Sequence, residues 1–394
     1  MSIRNLSVFN PDNDLALANG DENYMAPASA RQMMLDLALL PVWYGDADDY
    51  VLAPSSHNLI FLQEMRKQFS LSTELITEPE LAAAQALRLV PWGWNVALRK
   101  RFLQLGIEKE ALPTPEYLAW LTRCSHRSLA VELLARIRLN ANFCGESFYL
   151  TQLDDVKAFV ESRPTSLLKA PLSGSGKGLN WCKGVFSASI GSWCARVLAR
   201  QGGVVAEPLY EKVEDFAMEF FSDGEGSVAF VGYSLFRTSG SGAYEGNYLA
   251  SDEAIKHRLS QYVALSDLEQ LCIRLAEELS AKIGSVYGGY LGVDMMICAF
   301  TDAPCFRIHP CVEVNLRMNM GIVARRFYDR YVQPEKTGTF CIDYTAIQGE
   351  ALTIHREKLR LHPLRVIQGR VLSGYLSLTP VTRQTSYSAW VLIE

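Results

Sequence analysis

The 394-residue sequence contains nine cysteines but no Cys-x-x-Cys pair. That leaves no starting point for a zinc site or a disulfide frame. Cys194, Cys272, Cys298 and Cys341 sit inside apolar strand or helix patterns, as buried free thiols of a reducing compartment do. A basic excess is also missing: 38 Lys and Arg stand against 43 Asp and Glu, a net charge of −5, which excludes an electrostatic footprint for nucleic acid. No apolar run reaches the length of a membrane span. The apolar stretch near the N-terminus is too short for a signal peptide, so a cytoplasmic protein is expected. The six histidines are isolated, and there is no internal repeat. What remains is an ordinary globular balance, 49% hydrophobic and 21% charged, with length for two or three domains. The expected partners are small molecules.

Short strands at 6–9, 49–53 and 87–90, with a helix over 27–40, predict a parallel α/β unit ending near Pro113-Thr114-Pro115. A helix over 128–139, a strand over 166–170, a helix over 193–201 and a strand over 203–207 follow. A hairpin is expected over 216–234, around Asp223-Gly224-Glu225-Gly226. Thr238 to Gly246 reads as a mobile Gly/Ser loop. Apolar residues at helical spacing predict a helix over 266–283, with Ser266 and Glu269 as its capping box. Asn10, Asp12, Asn13 and Asp14 have the look of a calcium loop, but the glycine and terminal glutamate are misplaced. A polar loop at the carboxyl end of a parallel strand accounts for them better.

The stretch Cys311-Val-Glu-Val-Asn-Leu-Arg317 carries the most chemistry. Strand side chains alternate faces. Val312, Val314 and Leu316 therefore share one face, and Glu313, Asn315 and Arg317 the other. Carboxylate, amide oxygen and guanidinium in a row suit a wall that holds Mg²⁺ and an anion, because Mg²⁺ takes hard oxygen donors and shares them with phosphate. Gly292 to Cys298 is a second strand, and Thr301 to Pro304 a turn. A hairpin centred there places Asp294 opposite Cys311 and Gly292 opposite Glu313, with Asp294 on the face of Glu313 and Asn315. An exposed polar face is the competing reading of Glu313 and Asn315 alone; Asp294 in register and Arg317 beside them favour a site. His309 has the parity of Glu313 and either faces the site or fills the core.

Ser173-Gly174-Ser175-Gly176-Lys177-Gly178 invites comparison with a P-loop. Pro171 stands where that motif needs its first glycine, and Gly178 where it needs Ser or Thr. A P-loop is rejected, and no G-x-G-x-x-G follows a first strand. The physics survives: glycines let backbone N–H groups converge on an oxyanion, and lysine adds a point charge.

Lys169, the Gly/Ser loop, the Glu207 strand, Asp294, and Glu313 with Asn315 together resemble, in order and spacing, the ATP-grasp superfamily in its carboxylate–amine or carboxylate–thiol ligase branch. The likeness covers about residues 90 to 330. It implies an α/β and α+β chain: two α+β subdomains gripping ATP, preceded by a small parallel α/β domain. The expected boundaries are 1–115, 116–206 with the Gly-rich loop, 207–330 with the metal site, and a C-terminal extension over 331–394 that packs on the core.

The resemblance implies these roles. Lys169 reaches the α- and β-phosphates. The loop Ser173, Gly174, Ser175, Gly176, Lys177, Gly178 closes over the β- and γ-phosphates. Glu207 offers its backbone carbonyl to adenine, and because Pro208 has no N–H, Leu209 or Tyr210 supplies the donor. Asp215 is the ribose-binding acid, with Glu214 as the alternative one residue away. Asp294, Glu313 and Asn315 hold two Mg²⁺ ions. Arg317 faces the transferred phosphate or the acceptor carboxylate. Arg237 is either a ligand for an acceptor carboxylate or a solvated loop arginine. Lys100 and Arg101 are the nearest candidates for an earlier phosphate-binding cation, and Arg325 and Arg326 read as a solvated helix face. The implied activity is ATP-dependent ligation of a carboxylate to an amine or thiol through an acyl phosphate. An ATP-grasp kinase and a non-catalytic nucleotide-binding protein are the alternatives. ATP and small carboxylates and amines are the expected partners, without nucleic acid or membrane; a homodimer is left open.

Overall fold

The computed structural model describes residues 4–81, 84, 87–174, 178–240 and 242–394. They form two compact units: 1–119 with 245–252 and 318–394, and 120–244 with 253–317.

The first unit opens with β1 (Arg4–Val8), β2 (Tyr50–Leu52), β3 (Glu74–Ile76) and β4 (Leu87–Pro91), a parallel sheet in the order β3-β2-β1-β4. The expected parallel α/β unit is present, and β3, only three residues long, is the strand that the sequence pattern did not show. Leu6, Val8, Ile76 and Leu89 from the strands pack with Leu98 and Phe102 of the helix Val96–Gln104. Elsewhere in this unit Trp43 is fully buried among Phe69, Phe327 and Tyr331 and donates its indole N–H to the Leu378 carbonyl at 2.6 Å. Arg325 and Arg326 are a correction to the expected solvated face. Arg325 is 6% exposed and pairs with Asp252 and Asp329, and Arg326 pairs with Asp46 at 2.7 Å. Helix periodicity places a charge on a face but cannot show that acids from distant segments meet it there.

The second unit holds two antiparallel sheets. The first comprises β5 (Phe148–Leu150), β6 (Ser166–Lys169), β7 (Leu179–Cys182) and β8 (Val204–Pro208), in the order β5-β8-β6-β7. The helices Leu153–Glu161 and Ala188–Gln201 cover it through Val156, Phe159, Val160, Cys194 and Val197.

The second sheet contains β9 (Glu211–Asp223) and β10 (Val228–Thr238), the expected hairpin with longer arms. β11 (Tyr244–Leu249) follows, so the end of the expected Gly/Ser loop is strand; its residues 245–249 belong to the first unit. β12 (Gly288–Ala299) and β13 (Phe306–Asn315) complete the second unit's sheet in the order β13-β12-β9-β10. Phe216, Met218, Phe220, Leu291, Val293, Met295 and Ile297 line its buried face. The helix Leu265–Leu279 packs on β10 with Leu268, Leu271, Leu275 and Leu279 buried. Its N-cap is Ala264 without a side-chain hydrogen bond, so the Ser266 capping box does not form.

In the first unit β11 pairs with β14 (Gly338–Tyr344), which continues to β17 (Tyr387–Ile393), β16 (Arg370–Ser377) and β15 (Arg365–Ile367). No described helix is long and apolar enough to cross a membrane. All nine cysteines are free thiols.

Candidate nucleotide and metal site

The β12–β13 hairpin sets the site's geometry, and its register corrects the expected one. Near the turn Met296 pairs with His309, as a turn centred on 301–304 requires. Beyond a bulge, Asp294 pairs with Glu313 and Gly292 with Asn315, not Asp294 with Cys311 and Gly292 with Glu313. The extra residues lie on β13, where Pro310 has no N–H to give the ladder; β13 is the edge of its sheet, where proline is tolerated. The shift is two residues, so every side chain keeps its face. Asp294 and Glu313 are therefore direct cross-strand neighbours, about 4.5–5.5 Å apart at Cβ for such pairs.

Three rows of partners cross this face of the sheet. Phe236, Asp215, Met296 and His309 make the first; Ser234, Ala217, Asp294 and Glu313 the second; Gly232, Glu219, Gly292 and Asn315 the third. Asp215 is thus on the face of Asp294 and Glu313, and Glu214 is on the other. Asp215 accepts from Lys212 at 2.5 Å and from the Thr238 hydroxyl at 2.8 Å, while Glu214 accepts from Arg258 at 2.9 Å. Arg237, next to Phe236, faces away from the Asp215 row and is exposed. Glu219 had no motif to mark it, yet it is 1% exposed on the same face.

The carboxylates here are tightly held. Asn315 Nδ2 donates to Asp294 Oδ2 at 3.0 Å, and Arg317 Nη2 donates to Asn315 Oδ1 at 2.9 Å. Burial, reinforced by the Glu313 charge, pushes the Asp294 carboxyl up to about 7, against the pull of Arg317 and Asn315. Arg127 Nη2 sits 2.9 Å from Glu313 Oε1.

Arg127, which sequence reasoning did not single out, joins this cluster to the glycine loop. Its Nη1 donates to the Ala170 carbonyl at 2.5 Å and to the Ser173 hydroxyl at 2.6 Å, and its backbone N–H donates to the Pro171 carbonyl at 3.0 Å. Lys100 and Arg101, the candidates named for such a cation, lie in the other unit, where Glu22 and Glu78 take their charges. Arg127 belongs to no pattern, and its partners come together only through the fold.

The loop that Arg127 holds has a defined neck. The Ala170 N–H donates to the Gly178 carbonyl at 2.8 Å, and Gln201 clamps both backbone groups of Leu172 at 2.7 and 3.1 Å. Gly178 has φ +75°, and a Cβ there would meet Ser173 Cβ at 2.7 Å, so glycine is required. Ser173, Gly174 and Gly178 are in place; Ser175, Gly176 and Lys177 lie outside the described residues.

Lys169 ends β6 beside this neck. Its ammonium is 2.6 Å from Glu207 Oε2, both side chains being 5% exposed, and the Ser147 hydroxyl donates to Glu207 Oε1 at 2.9 Å. The Ser147 hydrogen bond offsets part of the cost of burying this pair. Leu209, just after β8, is exposed. Tyr210 sets its ring edge-on to His309 at 5.6 Å, and burial raises its hydroxyl pKa. His309 is fully buried, and neither ring nitrogen has a protein hydrogen-bond partner. Burial pulls its pKa down to about 4, opposed by Glu207 and aided by Lys169. Gly145 lies over the ring, where a Cβ would come within 2.9 Å.

Two carboxylates and an amide oxygen in adjacent register are hard donors of the kind Mg²⁺ takes while it keeps water and phosphate ligands. Among the described residues no group of three or more His, Cys, Asp or Glu side chains is placed to hold a metal alone.

A two-sheet unit with a basic residue ending one strand, a glycine loop after it, and a hairpin of acids on the facing sheet is the ATP-grasp fold. Among solved structures, a biotin carboxylase from Campylobacter jejuni in complex with an ATP analogue is 13% identical with a TM-score of 0.54, over 100% of this chain and 88% of that one. An N5-carboxyaminoimidazole ribonucleotide synthetase from Thermus thermophilus is 12% identical with a TM-score of 0.50, over 99% and 93%. The biotin carboxylase domain dimer of a Hydrogenobacter thermophilus 2-oxoglutarate carboxylase, in complex with MgADP, ADP and bicarbonate, is 12% identical with a TM-score of 0.50, over 89% and 87%. No protein-family model matches the sequence, and no curated protein matches it.

Proposed function

We propose that the protein is an ATP-dependent ligase that joins a carboxylate to an amine or thiol through an acyl phosphate. The observation that carries the reading is the face of β9, β12 and β13, where Asp215, Asp294, Glu313 and Asn315 line up in adjacent rows. In this reading Asp294, Glu313 and Asn315 hold two Mg²⁺ ions, which neutralise charge on the β- and γ-phosphates. Lys169, Arg127 and the loop 173–178, with Lys177, bind the phosphates. The Glu207 carbonyl and a backbone N–H of Leu209 or Tyr210 bind the base, and Asp215 the ribose. Arg317 faces the group that receives phosphate. The substrate carboxylate attacks the γ-phosphate in line, ADP leaves, and the amine or thiol then displaces phosphate from the acyl carbon. The protein contributes positioning and charge neutralisation and needs no covalent nucleophile. Cys311 is buried, and burial raises its thiol pKa, so it belongs to the packing. The neighbours' complexes with an ATP analogue and with MgADP support this nucleotide assignment.

Hydroxylamine trapping during ATP turnover, with a panel of carboxylates, tests the reaction. A hydroxamate is the expected product. ADP formation without hydroxamate for any carboxylate that stimulates it would mark a kinase instead.

A further inference from the structure

One oxygen of each side chain in the proposed cation set is held by a protein donor: Glu313 by Arg127 at 2.9 Å, Asp294 by Asn315 at 3.0 Å, and Asn315 by Arg317 at 2.9 Å. Arg127 is unusual among these donors because it faces two ways. One amino group holds Glu313, and the other holds Ala170 and Ser173 at the neck of the glycine loop. Its side chain is 8% exposed and that of Glu313 28%, so water screens the pair only in part.

A divalent cation at Glu313 competes with Arg127 for the same carboxylate. A polyphosphate under the loop competes with Glu313 for the same guanidinium. On the nucleotide reading, each ligand thus draws one partner of the same ion pair toward itself. We propose that Arg127 is a positioning residue that couples the two sites: whichever ligand binds first opens the Arg127–Glu313 pair, and the second then meets a partner already released. The proposal rests on the nucleotide reading above and extends it to the order of events at the site. Because coupling between equilibrium sites is reciprocal, polyphosphate and cation raise each other's affinity by one factor.

Two substitutions separate the halves of this exchange. Arg127→Gln removes the charge that competes for Glu313, and should raise the affinity of the protein alone for Mn²⁺, read by electron paramagnetic resonance, by about tenfold. Glu313→Gln removes the carboxylate that competes for Arg127, and should raise the affinity for ATP in excess EDTA, read by calorimetry, by about tenfold. In the double variant, Glu313→Gln should add less than about twofold to ATP binding in EDTA, because Arg127 is no longer there to be released. Each single change is a gain of affinity, which a damaged fold does not imitate. If Arg127→Gln leaves Mn²⁺ affinity unchanged or lower, or Glu313→Gln weakens ATP binding in EDTA, the coupling is wrong while the nucleotide reading stands. If the wild type binds ATP neither in EDTA nor with Mg²⁺, the nucleotide reading falls and the coupling with it.

Discussion

Asn10 and Asn95 in the first unit, and Asp294, Glu313 and Asn315 in the second, are both knots of polar side chains, but they are held in different ways. In the first, neutral amides close on the backbone and, between Asn95 and Asn13 at 2.9 Å, on each other. Asn10 Nδ2 donates to the Gly93 carbonyl at 2.8 Å, and Asn95 Oδ1 accepts from the Leu98 N–H at 2.9 Å. Gly93 is pressed against Asn13 so closely that a Cβ would lie 2.4 Å from the end of its amide group. In the second, Arg127 holds Glu313, Asn315 holds Asp294, and Arg317 holds the Asn315 amide oxygen, so two of these three donors are long cationic side chains. A polar cluster whose partners are backbone groups is architecture. One whose partners are long charged side chains has a second arrangement available, and that makes it a candidate for chemistry.

The sharpest way to break this contrast is Glu313→Gln. It keeps the shape and one acceptor oxygen but removes the charge of a proposed cation ligand, and should lower Mg-ATP turnover by about 10³-fold, in the range seen when preorganised charge is removed from an active site. Phosphate release measured beside the thermal unfolding midpoint checks it: turnover should vanish while the midpoint holds. Retained turnover would place the acid face among structural clusters like that of Asn95.

The Lys169–Glu207 pair tests the contrast from the side of stability. Glu207→Ala strands a buried ammonium, and breaking such a pair typically costs about 3–5 kcal/mol. Replacing both, as Lys169→Met with Glu207→Leu, should recover most of that loss in urea unfolding while abolishing nucleotide binding. A double variant as unstable as the single one would mean that the cost lies in packing rather than in a stranded charge.

His309 is the buried group between these extremes, polar but without a protein hydrogen-bond partner. Its folded-state pKa of about 4 lies below the ordinary 6.5, so the unfolded chain takes up a proton that the folded chain refuses. Its contribution to stability is therefore complete above pH 6.5 and falls away as pH drops toward 4, by about 3 kcal/mol in all. His309→Phe, which keeps a ring against Tyr210, should flatten that part of the stability profile measured by urea titration at each pH. An unchanged slope would assign the acid sensitivity to other groups.

Much of the site was legible in the sequence because strand alternation is a short-range rule. Glu313 and Asn315 share a face by alternation alone, Asp294 joins them in any register an even number of residues away, and the bulge moved the register by two. Pro310 inside β13 was the available sign of the bulge. The parallel sheet was legible from strands alternating with helices, and β3 escaped because three residues are too few to show a period. Arg127, Gln201 and Glu219 were not legible, because their roles come from contacts across sheets and loops, which no local spacing encodes. The burial of Arg325 was hidden for the same reason: Asp252 lies far away in the chain.

The smallest expected effect belongs to the neutral cluster. Asn95 is 4% exposed and caps the helix Val96–Gln104 through Leu98. Asn95→Ala leaves that N–H without its acceptor, a loss of about 1 kcal/mol and at most about 2 for a helix N-cap. Urea unfolding should show that loss, and Asn95→Asp should restore most of it, since aspartate caps as well as asparagine. Mn²⁺ and ATP affinities should stay within about twofold of wild type, because neutral amides closed on backbone hold no charge for a ligand to draw away. Binding that changes with Asn95→Ala as strongly as with Arg127→Gln would erase the distinction between the clusters. An effect confined to stability would show that what separates them is the charge and mobility of the donors rather than the number of polar groups buried.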